Sequence, residues 1–105
     1  MYNESDITNI TSKFLLEVAP DYPIKEAYLF GSYAKGNARE ESDIDIAIVS
    51  DKFEGNRFMD RLKLGKYILK VSYDIQVHPF SVEDFTEDDP FVKEIKETGI
   101  RLKVN

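Results

Sequence analysis

A chain of 105 residues with 42% hydrophobic and 12% aromatic content has enough apolar surface for one packed core and too little length for two lobes, so one domain over residues 1–105 is expected and disorder is excluded. A net charge of −6 excludes a protein that coats nucleic acid through bulk electrostatics, and any polyanionic substrate would need local countercharge such as metal ions. The absence of cysteine excludes a disulfide framework and a cysteine-based zinc site.

The N-terminal stretch MYNESDITNI lacks the basic-then-apolar pattern of a signal peptide, and no apolar run approaches a membrane span. A soluble, cytoplasmic chain without membrane contact is the expectation. Ile7, Ile10, Phe14 and Val18 recur at helical spacing, with Ser5 or Asp6 to cap the start and Pro20 to close it, which predicts a helix over 6–19. KEAYLF, short and aromatic-rich between Pro23 and Gly31, reads as a strand, and IDIAIVS as a second. Residues 57–70 predict a helix carrying Phe58, Met59, Leu62 and Leu69, weakened at Gly65. YDIQVH alternates as a third strand. Asp89-Pro90 caps and opens a last helix that ends at Gly99, and Ile100, Leu102 and Val104 alternate as a short fourth strand.

Two stretches carry chemistry. In a strand successive side chains alternate, so Asp43 and Asp45 share one face and Ile44, Ile46 and Ile48 turn the other to the core. In the third strand Asp74, Gln76 and His78 share a face, and if the two strands are neighbours Asp74 joins the pair. Clustered carboxylates repel unless they share a proton or bind divalent cations. Hard cations such as Mg²⁺ take oxygen ligands and leave positions for substrate phosphates, the arrangement of phosphoryl or nucleotidyl transfer. Ahead of the aspartates, Gly31 at a strand end lets the backbone approach a ligand, and the amides that open a following helix point at an anion. This is not a P-loop, because Asn37 stands where the lysine belongs, and DIDIAI is not an EF-hand loop.

Phe30-Gly31-Ser32, the spacer, Asp43-Ile44-Asp45 and the later Asp74 resemble the pattern of the DNA polymerase β-type nucleotidyltransferases. Within that superfamily the chain is similar to the minimal nucleotidyltransferases encoded beside HEPN-domain toxins, a likeness that extends to the closing PFVKEIKETGIRL. The resemblance implies an α/β (α+β) nucleotidyltransferase fold with a small mixed sheet flanked by helices, ATP as donor, two Mg²⁺ ions, and AMP transfer to an acceptor hydroxyl, in some members a toxin tyrosine. It implies a cognate HEPN toxin as partner in a hetero-oligomer, with the chain as an enzymatic antitoxin. Carried over, Asp43, Asp45 and Asp74 are the catalytic and metal-binding residues, with Asp74 at the acceptor. Gly31 and Ser32 hold the β- and γ-phosphates, and Lys35 adds charge there. The alternatives are a catalytically silent antitoxin acting by occlusion and a small-molecule, antibiotic-type nucleotidyltransferase, which usually needs a second domain to cradle its acceptor.

Other residues read more plainly. His78 precedes a proline and reads as a strand-end residue. Arg57, Arg61, Lys63, Lys66 and Lys70 give one helix a basic character that reads first as a solvated face and second as a partner or phosphate contact, and Glu83, Asp84, Glu87, Asp88 and Asp89 form an acidic loop around Phe85.

Overall fold

A computed structural model of the chain describes residues 1–104. Helix α1 spans Glu4–Val18. Its cap is Asn3, whose side chain accepts the Asp6 N–H at 2.8 Å while the Asp6 carboxylate accepts the Asn3 N–H at 3.1 Å. This reciprocal capping box starts the helix ahead of the residues that sequence spacing favours. Ile7, Thr11, Phe14, Leu15 and Val18 form its buried stripe.

Four strands make a mixed sheet: β1 (Glu26–Phe30), β2 (Ile44–Val49), β3 (Ile75–Phe80) and β4 (Ile100–Arg101), in the order β3-β2-β1-β4. Strand β1 runs antiparallel to β2 and β4, and β2 runs parallel to β3. A parallel pair needs a crossover, supplied by α3 (Arg57–Lys63) and α4 (Gly65–Val71). One helical turn, α2 (Ser32–Lys35), follows β1, and α5 (Pro90–Thr98) precedes β4, opened by Asp89 and Pro90.

The sheet is covered on both faces. Phe14, Val18, Ile44, Ile46, Ile48, Leu64, Tyr67, Ile75 and Val77 form the larger core, beneath α1 and α4. Tyr28, Phe30, Ala47, Val49, Phe80, Phe85, Val92 and Ile95 form a second one, beneath α5. The face that carries Asp45 is therefore apolar beyond the aspartate, not a solvated surface.

The sequence expectation for 57–70 is corrected in two ways. The helix breaks at Leu64, whose fully buried side chain turns inward just before Gly65, the residue least costly to release from a helix. The apparent apolar stripe also points outward: Phe58 and Leu62 are 70% and 61% exposed, while Asp60 is buried. The Asp60 carboxylate accepts the backbone N–H groups of Glu54 and Gly55 at 3.1–3.2 Å, so α3 packs through a hydrogen-bonded loop. Strand β3 continues through Pro79, which an edge strand tolerates because an N–H on its outer side needs no partner. Among the described residues no helix is long and apolar enough to cross a membrane.

Candidate active site

Gly31 follows β1 with φ 75° and ψ −152°, a backbone conformation strained for any residue with a side chain. It caps α2, in which the Lys35 N–H donates to the Gly31 carbonyl at 3.1 Å, and Gly36, left-handed at φ 77°, closes the turn. The first amides of such a turn have no intrahelical acceptor. Ser32 is half-buried at its start and Lys35 exposed at its end.

Asp45 lies directly over this glycine. Its partner across the antiparallel pair is Phe30, and a β-carbon added to Gly31 would collide with its Oδ2. The missing side chain therefore makes room for the carboxylate as well as for the backbone conformation. Oδ1 of Asp45 lies 3.3 Å from Nε2 of His78, whose ring stands edge-on against Phe30 and Phe91 at 4.9 and 5.8 Å. His78 is thus a contact of the aspartate. The sequence hint was its shared face with Gln76, but the contact needed the parallel register that sets Asp45 beside Gln76.

Asp43 and Asp74 come immediately before the paired residues Ile44 and Ile75, and the Ile44 N–H donates to the Asp74 carbonyl at 2.8 Å. Both acids are exposed at the same end of the sheet. Asp74 differs from expectation in its side chain. It belongs to the turn leaving α4, with its N–H on the Ser72 hydroxyl at 3.2 Å, so strand alternation does not govern it. Its carboxylate accepts the Tyr2 hydroxyl at 2.5 Å instead. That hydrogen bond is the largest influence raising the Tyr2 pKa above its ordinary value. Tyr2 carried no local sequence signal, because it meets Asp74 only through the docking of α1.

Among the described residues no three His, Asp or Glu side chains converge closely enough to hold a metal ion. In kind, the donors suit a hard divalent cation: carboxylate oxygens at a strand end, two of them exposed and one given room by Gly31. In arrangement, Asp74 is engaged with Tyr2 and would have to exchange that hydroxyl for a shared ligand.

Residues 11–102 match the family model described as a nucleotidyltransferase domain. The chain belongs to the nucleotidyltransferase family. Within it, the chain groups with the MNT-type protein adenylyltransferases. It is 39% identical over 67 residues to MJ1379 of Methanocaldococcus jannaschii, covering 64% of this chain and 67% of that one. It is 32% identical over 92 residues to MJ0126 of the same organism, covering 81% and 92%. Both relatives are assigned as protein adenylyltransferases. MntA of Haemophilus influenzae, assigned likewise, is 37% identical over 60 residues, 57% of this chain and half of that one. Among solved structures, a Sulfolobus solfataricus protein described as a nucleotidyltransferase superposes with a TM-score of 0.65 at 21% identity, covering 95% and 87% of the two chains. A toxin–antitoxin complex with AMP-PNP gives 0.65 at 24% identity, covering 93% and 73%. At those identities the likeness speaks for the fold, and the mixed sheet of this nucleotidyltransferase agrees with it.

Proposed function

We propose that this nucleotidyltransferase transfers AMP from ATP to a tyrosine hydroxyl of a cognate HEPN-domain toxin and, as its antitoxin partner, silences it. The observation that carries the reading is the seating of Asp45 against Gly31, which joins the two motifs into one site at the end of the sheet. Relatives assigned as protein adenylyltransferases and the likeness to toxin–antitoxin structures support the substrate class.

In this reading Gly31 and Ser32 receive the β- and γ-phosphates on the open amides of α2, and Lys35 adds positive charge. Asp43 and Asp45 are the residues that would hold the divalent cations, and His78 orients Asp45 through its 3.3 Å contact. Bound cations would neutralise the triphosphate and ease departure of pyrophosphate. Asp74 accepts the proton of the incoming hydroxyl as its oxygen bonds to the α-phosphorus.

A second reading, neutralisation by occlusion alone, draws support from Phe58, Leu62, Leu69 and Tyr73, all at least 61% exposed on or just after α3 and α4. One experiment separates the two. The protein with its copurifying partner is incubated with Mg²⁺ and ATP labelled in the α-phosphate. Label on the partner, abolished by Asp43→Ala with Asp45→Ala, supports transfer. Full protection of cells by that double variant would leave occlusion sufficient.

A further inference from the structure

Tyr2 is hydrogen-bonded to the residue that the proposed reaction makes the proton acceptor. Its hydroxyl donates to Asp74 at 2.5 Å, the short contact a nucleophile makes with its general base. Tyr2 is held from several sides, and its hydroxyl also lies 3.5 Å from the Ser72 hydroxyl. Asn3 caps α1 and fixes the chain next to it, the Tyr2 N–H donates to the Tyr33 hydroxyl at 3.3 Å, and the two rings pack at 6.2 Å. Tyr33 is the second residue of α2, directly after Ser32. The Tyr2 backbone is thus tied to a side chain from the turn proposed to hold phosphate, and its hydroxyl lies on Asp74, whose carbonyl accepts the N–H of Ile44 next to Asp43.

The remaining tyrosines are differently engaged. Tyr28 donates to Glu26 and Tyr67 to Asp21, Tyr22 stacks on Phe53, and Tyr73 is exposed. Tyr2 alone, among the described hydrogen bonds, places its hydroxyl on a carboxylate of the candidate site.

We propose that Tyr2 is a self-modification site, and that the chain adenylylates its own Tyr2 hydroxyl from a nucleoside triphosphate. The inference rests on the reading of Asp43, Asp45 and Asp74 given above. In the step, the Tyr2 oxygen forms a bond to the α-phosphorus, and the bond from that phosphorus to the bridging oxygen of the β-phosphate breaks. Pyrophosphate leaves with the electron pair, and the phenol proton passes to the Asp74 carboxylate. The product is a tyrosyl–AMP diester, with no change in oxidation state.

The test uses the full chain alone, with Mg²⁺ and ATP labelled in the α-phosphate, followed by intact mass and peptide mapping; melting with Mg²⁺-ATP is recorded in parallel. The expected result is a gain of one AMP, mapped to Tyr2. It is absent from Tyr2→Phe and from the Asp43→Ala, Asp45→Ala double variant, and slowed by about 10²-fold or more in Asp74→Asn. Mapping on the unaltered chain does not depend on how any variant folds. A chain stabilised by Mg²⁺-ATP that takes no label, or takes it elsewhere, overturns self-modification and leaves the nucleotide site standing. A chain neither stabilised nor labelled overturns both.

Discussion

Gly31 and Asp45 occupy one space: the carboxylate lies where a side chain on the glycine would begin. Gly36, five residues on, also has a positive φ, 77° against 75°, but its ψ of 20° puts it in the left-handed helical region, and a β-carbon there would meet nothing within 4 Å. The two positions differ in backbone strain and in obstruction, and both differences point the same way. Gly36→Ala incurs the left-handed penalty, about 1–2 kcal/mol, whereas Gly31, at ψ −152°, lies in a region essentially closed to residues with a side chain and is strained further. Gly31→Ala must in addition displace Asp45. In urea unfolding both variants should lose stability, Gly31→Ala more. In melting experiments Gly36→Ala should keep the stabilisation by Mg²⁺-ATP and Gly31→Ala should lose it. Equal nucleotide responses in the two would remove Gly31 and Asp45 from the site.

Asp74→Asn tests the proton acceptor. The amide keeps the shape and an oxygen for the Tyr2 hydroxyl, so the fold and much of the nucleotide binding should persist. Transfer should fall by about 10²–10⁴, the usual contribution of a general base. A variant that transfers AMP at close to the parental rate would make Asp74 a bystander and undo the mechanism built on it.

Asp60 is structural, and its loss should be felt in stability alone. It is 1% exposed and accepts two backbone N–H groups from the loop before α3. Asp60→Ala removes the acceptor of both N–H groups, and because Glu54 and Gly55 are exposed, water replaces part of the loss, leaving about 1 kcal/mol for each hydrogen bond. Asp60→Asn keeps one acceptor oxygen and should lose less. Denaturant titration reads the order, parent above Asn above Ala. The Mg²⁺-ATP response of whatever remains folded should be unchanged, since the loop is separate from Gly31 and Asp45.

Alkaline pH should expose Tyr67. Burial first, and then its hydrogen bond to Asp21, push its pKa from 10.0 up to about 12. The unfolded chain releases this proton first, so the folded state binds more protons through that window. The stabilisation is therefore complete below pH 10 and declines as the pH rises toward about 12. Melting temperatures across this range should fall less steeply in Tyr67→Phe, which has no proton to lose. Parallel slopes would mean that Tyr67 does not govern the alkaline limit.

What the sequence by itself determined was local. Alternation around Ile44, Ile46 and Ile48 marks β2, Asp89-Pro90 and Gly99 bracket α5, and the glycine and the spaced aspartates announce their chemistry because their residue types are costly in strands without a reason. The reading failed where burial was inferred from periodicity: in α3 the apolar residues face outward and an aspartate faces inward, because the Asp60 carboxylate is turned to the N–H groups of the loop that enters the helix. Only the tertiary structure decided which side chains meet. Tyr2 and Asp74 are 72 residues apart, and Asp45 and His78 are 33 apart. No local pattern encodes such contacts, because they depend on strand order, the parallel register of β2 on β3, and the docking of α1. Those are set by burial summed over the whole core.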